Sequence, residues 1–108
     1  MQYLNTEDAG DNRRGAAINA AINNAHLRAT YSRQQQNEAL GVADLLDTAY
    51  RSSEMYVNWR KRFISVTIRG AQTREPGIAQ QVELLFESRG YQCATTPRAR
   101  IYRIPRQA

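Results

Sequence analysis

The sequence predicts an α+β fold: an alanine-rich N-terminal helix or helix pair followed by a compact βαββ unit. Three observations carry this reading. A proline-free stretch of helical period runs from Arg13 to about Val57, the period changes to two at Phe63, and a second helical stretch lies between Pro76 and Gly90.

Residues 1–12 are polar and acidic and carry no period, so they read as a flexible arm. Residues 13–62 form a helical segment. One heptad register passes through Ile18, Ile22, Ala25, Ala29, Ser32, Gln36, Ala39, Ala43, Leu46, Tyr50, Ser53 and Val57. Because the register crosses the polar run SRQQQN, that run is either the middle of one long helix or a turn between two, with Asn37 as a cap for the second. Gly41 lowers helix stability by about 1 kcal/mol relative to alanine unless it admits a neighbouring helix. In residues 63–108, Ile64, Val66 and Ile68 alternate with Ser65, Thr67 and Arg69 as a half-buried strand does, and Gly70 ends the run. Pro76 suits a first helical turn, Ile78, Val82, Leu85 and Phe86 share a face, and Gly90 stops the helix. Tyr91, Cys93 and Thr95 alternate next, as do the residues from Arg100 to Ile104, which predicts two strands joined by the TPRA turn.

A chain of 108 residues has room for one hydrophobic core, and 42% apolar content excludes outright disorder. No apolar run approaches the roughly 20 residues needed to span a bilayer. The first residues lack the pattern of a cleaved secretion signal, so a virion or host-cytoplasm setting is expected. The net charge of +5 sits at the C-terminus: residues 1–87 hold ten basic and ten acidic side chains, and residues 88–108 hold five arginines and no acid.

Catalysis needs proton-exchanging or attacking groups within mutual reach. Asp44 and Asp47 share a helix face but read as solvated charges, as do Glu83 and Glu87. His26 lies in no recognisable catalytic context, and Cys93, alone on a strand, reads as a small buried hydrophobe. With one cysteine, one histidine and no glycine-rich phosphate loop, neither a metal nor another cofactor is expected, and the chain does not read as an enzyme. Two basic groups remain: WRKR, with Arg60, Lys61 and Arg62, and the C-terminal Arg98, Arg100, Arg103 and Arg106. They are expected to contact an anion or an acidic partner. On an alternating strand Arg100 and Arg103 face opposite ways, which weakens a nucleic-acid reading. A winged-helix reader with VELLFESR as its recognition helix would set Glu83 and Glu87 against phosphates.

The segments AAINAAINNA, FISVTIRG, IAQQVELLFESRGYQC and IYRI resemble small accessory virion proteins of tailed bacteriophages, from Phe63 to Ile104 and more loosely over residues 16–25. The chain departs from that pattern in its basic ending, IPRQA. The resemblance implies a non-enzymatic structural component of the particle that oligomerises and attaches by protein–protein contacts to capsid, neck or tail proteins. Ile18, Ile22, Ala25, Ala29, Leu46 and Tyr50 are the expected oligomer or partner contacts, in a coiled coil or similar association. The other reading of the same stripe is a helical hairpin folded onto its own sheet. A small basic nucleic-acid-binding regulator is the alternative function, with nucleic acid as partner and no membrane.

Overall fold

The computed structural model describes residues 24–107. Residues 24–29 are helical and stop at Thr30 and Tyr31, whose amides turn back onto the Leu27 and Arg28 carbonyls, both at 3.1 Å. Helix α1 then spans Arg33–Ala49. Its N-cap is Ser32, with extended backbone (φ −62°, ψ 155°) and a side chain accepting from the Gln35 amide at 3.1 Å. There are thus two helical stretches here, and the cap is Ser32, not Asn37. The α1 face of Gln35, Ala39, Val42, Ala43, Leu46 and Ala49 is buried. Gly41 is on the exposed side, and a Cβ placed there would meet nothing within 4 Å, so it admits no neighbouring helix.

The helical reading of residues 50–62 is corrected. A short strand β1 (Tyr50–Arg51) leads into β2 (Glu54–Trp59), which pairs antiparallel with β3 (Phe63–Arg69). Met55, Val57 and Trp59 point inward and alternate with Glu54, Tyr56 and Asn58, so this segment carries the period of two. The heptad register hid it because Val57 and Tyr50 fit either period. Next come β4 (Gln72–Thr73), paired with β1, and helix α2 (Pro76–Arg89), followed by β5 (Gln92–Thr95) and β6 (Ala99–Pro105).

The four-stranded sheet has the order β2-β3-β6-β5 and is antiparallel throughout, so the predicted α+β class holds with a ββαββ unit. Gly70 leaves β3 at φ 62°, where a Cβ would lie 2.7 Å from the Ser53 Oγ; conformation and space both require glycine. Gly90 ends α2 at φ 68°, its amide bonding to the Glu87 carbonyl while the Tyr91 amide reaches the Phe86 carbonyl, as in a Schellman motif. Both helices lie on one face of the sheet, over Met55, Val57, Trp59, Ile64, Val66, Ile68, Tyr102 and Ile104.

The chain repeats itself as two αββ halves, α1-β2-β3 and α2-β5-β6. Laying β3 on β6 takes Phe63 to Ala99, Val66 to Tyr102 and Arg69 to Pro105. The observed pairing sets Val66 opposite Tyr102 and mirrors Phe63↔Pro105 with Arg69↔Ala99. An approximate two-fold axis therefore runs through the Val66–Tyr102 pair.

Phe86 packs edge-on against Tyr102 and Tyr91, with ring centroids 5.4 and 5.5 Å apart. Truncation of Phe86 to alanine should cost about 3–5 kcal/mol, and Ser32→Ala about 1 kcal/mol, in urea denaturation. A smaller loss from Phe86→Ala than from Ser32→Ala would contradict this packing.

Candidate functional site

Two surface features stand out, a basic pole at one end of the sheet and an uncovered groove between α2 and β5.

The pole is assembled from three chain segments around the β2–β3 loop. The Tyr31 hydroxyl donates to the Arg60 carbonyl at 2.6 Å, which ties the turn before α1 to this loop. Burial holds the Tyr31 hydroxyl protonated above its ordinary range, against the opposing pull of Arg106. Arg106 closes the third side. Its amide donates to the Arg62 carbonyl at 2.9 Å and its Nε to the Lys61 carbonyl at 2.7 Å, its remaining nitrogens bond Thr30, and its guanidinium lies 3.7 Å from the Tyr31 ring centroid. Arg28 lies over Trp59 at 5.4 Å and Arg103 over Phe63 at 4.8 Å. A hollow beside the loop is lined by Ala25, Arg28, Ala29, Arg33 and Gln36. On its other side, a hollow of about 290 Å³ is lined by Arg62, Phe63, Tyr91, Gln92 and Arg103, among others.

Among the described residues the ion pairs are Arg89–Glu38 at 3.0 Å and Arg100–Glu83 at 2.7 Å, so none of Arg28, Arg33, Arg60, Lys61, Arg62 or Arg103 has a carboxylate partner. The tertiary structure thus joins Arg103 and Arg106 to Arg60, Lys61 and Arg62, and separates them from Arg98 and Arg100. Arg98 sits on the β5–β6 loop at the far end, where its carbonyl accepts from the Gly70 amide. Arg100 is turned inward, bonded to Glu83 and, at 3.1 Å, to the Tyr102 hydroxyl. Both therefore lie outside the basic pole. Arg28 and Arg33 join it without a signal in the sequence, since they reach it through the turn at Thr30–Ser32.

The groove arises because the two halves are covered unequally. Over β2, Leu27 packs on the core, Tyr31 lies 5.7 Å from Trp59, and the Asn24 Oδ1 accepts from the Trp59 amide at 2.8 Å. Over β5 nothing equivalent is found among the described residues. Cys93 and Thr95 face the helix side yet are exposed, beside Phe86, Tyr91 and Tyr102, with Glu83 and Glu87 on the α2 rim. The expectation of a buried Cys93 is therefore corrected: α2 sets Phe86 against Tyr102 of β6 and runs beside β5 without covering its side chains. Partial burial, with the Glu83 charge added, still pushes the thiol above its ordinary range, which disfavours the reactive thiolate.

The expected partner contacts scatter. Leu46 and Tyr50 are buried in this chain's own core, at 0% and 3% exposure, and cannot carry a contact between chains. Ala25 and Ala29 are exposed beside the basic pole, while Ile18, Ile22 and the arm of residues 1–12 lie outside the described residues. The stripe along α1 serves the hairpin-on-sheet alternative. Of the helix considered for a winged-helix reader, Ala79, Val82 and Phe86 are buried and Glu83 is engaged by Arg100. His26 is exposed. Among the described residues no three His, Cys, Asp or Glu side chains gather to hold a metal, and no helix is long and apolar enough to cross a membrane. Comparison with protein-family models, curated proteins and solved structures finds no match to this chain.

Beneath the groove, burial holds the Tyr102 hydroxyl protonated well above the ordinary tyrosine value of 10.0; Arg100 opposes this and a hydrogen bond with Tyr50 adds to it. A pKa higher in the folded than in the unfolded chain favours folding below the unfolded value, and that contribution is lost as pH rises beyond it. Melting temperature should therefore fall as pH is raised above about 10, and Tyr102→Phe should flatten that alkaline decline. An unchanged decline in the variant would show that Tyr102 is not its source.

Proposed function

We infer that this chain is a non-enzymatic structural or assembly component of a phage particle, held by protein–protein contacts to a capsid, neck or tail protein. The phage setting rests on the resemblance of residues 63–104 to accessory virion proteins. The mode of attachment rests on one observation, the bare groove and edge beside α2.

In one half of the repeated αββ fold, residues 24–31 cover β2 and an asparagine side chain meets its last amide. In the other half all four residues of β5 are exposed, and none is charged. An edge strand presents unpaired amides and carbonyls, and the usual protection is lysine, proline or a covering element. β5 has none of these among the described residues. A partner segment laid along β5 and against Phe86, Tyr91 and Tyr102 would give the second half the cover that the first already has. Glu87, on the α2 rim and in none of the ion pairs found among the described residues, favours a segment that carries arginine or lysine.

Immobilised protein offered purified capsid, neck and tail proteins should retain one of them, and the bound partner should protect Cys93 from alkylation. Ala94→Lys should reduce retention at least about tenfold, because a charge on the edge opposes strand addition. Glu54→Lys, on the opposite edge, should not. If no particle protein is retained and light scattering finds a strict monomer at every concentration, the reading fails.

A further inference from the structure

We propose that the basic pole is a site for the phosphate backbone of a nucleic acid, separate from the α2–β5 groove. Its cations are Arg28, Arg33, Arg60, Lys61, Arg62 and Arg103, and none is ion-paired among the described residues. Arg60 and Lys61 are exposed on the β2–β3 loop, Arg62 and Arg103 line one hollow and Arg28 and Arg33 another, a spread that suits a polymer with charge repeated along its length better than a single small anion.

The chemistry of the surface separates nucleic acid from an acidic protein. Specific protein interfaces need an apolar centre that excludes water, while attraction to a phosphate backbone needs only cations whose binding releases counterions. At the pole Tyr31 and Trp59 are buried and Phe63 is half-buried beneath Arg103. Among the described residues the exposed large apolar side chain is Leu84, on α2 and away from the pole. The apolar groups of the pole, Phe63, Tyr91 and Pro105, are confined to the one hollow flanked by Arg62 and Arg103, so the rest of the pole offers charge without an apolar anchor.

Arginine is the fitting residue type. Its planar group can lie on a ring and still present N–H edges to two oxygens of one phosphate, which a lysine ammonium cannot do. Arg28 and Arg103 are held over rings in this way at 5.4 and 4.8 Å. Arg106 is instead consumed in fixing the loop, so it positions the other cations. The contacts are to backbone and predict little preference for sequence.

The test is fluorescence anisotropy with labelled mixed-sequence DNA, single- and double-stranded, alongside RNA and polyglutamate. With about four phosphates neutralised, affinity should fall about 100-fold between about 50 and 200 mM salt. The double variant Lys61→Gln, Arg62→Gln should reduce the slope of log affinity against log salt by about two. No hydrogen bond of either side chain is found among the described residues, and an unchanged melting temperature verifies the fold. Arg51→Gln with Arg98→Gln removes the same charge away from the pole and should leave affinity within about twofold. The proposal is overturned by absence of binding at low salt, by tighter binding of polyglutamate than of any nucleic acid, or by equal losses in the two double variants. None of these outcomes bears on retention of a particle protein at the groove.

Discussion

The pairing of β3 with β6 in the register that sets Val66 against Tyr102 is the constraint on which the remaining features depend. Strand side chains alternate, so a slip of one residue would turn Ile104 and Tyr102 to solvent and bring Arg103 and Ile101 against the helices. Burial of Ile64, Val66, Ile68, Tyr102 and Ile104 under α1 and α2 therefore specifies the register strongly. The same register decides where charge goes. Because Phe63 lies opposite Pro105, the C-terminal residues arrive beside the β2–β3 loop, and Arg106 can bond the carbonyls of Lys61 and Arg62.

A cluster of like charge at one pole works against the compact state, and several features limit that penalty. The side chains of Arg60, Lys61 and Arg62 are exposed, where solvent and salt screen their repulsion. Three arginines lie over aromatic rings, an attraction worth about 0.5–1 kcal/mol each at exposed sites. The loop itself is tied by Tyr31 from one side and Arg106 from the other. The loop backbone is fixed and Arg28 and Arg103 are held over rings, and preorganisation of that kind lowers the ordering cost of binding a partner.

The repeated αββ pattern sets a standard against which each half can be compared. Both halves contribute a helix to the same layer and a hairpin to the same sheet, yet Met55, Val57 and Trp59 are buried while Cys93 and Thr95 are not. The difference comes from residues 24–31, which the first half has as an added cover. The two candidate surfaces are consequences of this asymmetry: the added segment brings Arg28 beside Arg33 of α1 at the basic pole, and among the described residues no counterpart covers the groove beside α2.

By itself the sequence determined the α+β class, the helix from Pro76 to its glycine stop, the strand from Phe63 to Gly70, and the final hairpin across TPRA. These follow from short-range physics: side-chain period, the fixed φ of proline, and the left-handed freedom of glycine. The tertiary structure alone decided that residues 54–59 form a strand, because Val57 and its neighbours satisfy a helical stripe and a period of two equally well until β3 is present as a pairing partner. It also decided that Leu46 and Tyr50 serve this chain's own core and that Cys93 is exposed, since the area a helix covers depends on where it docks. Of the candidate site, the residue types were legible and the grouping was not: Arg100 lies three positions from Arg103 in the chain, yet it turns inward to Glu83 while Arg103 joins Arg62. Which charges become neighbours is set by strand order and register, and these come from pairings between residues far apart in the chain.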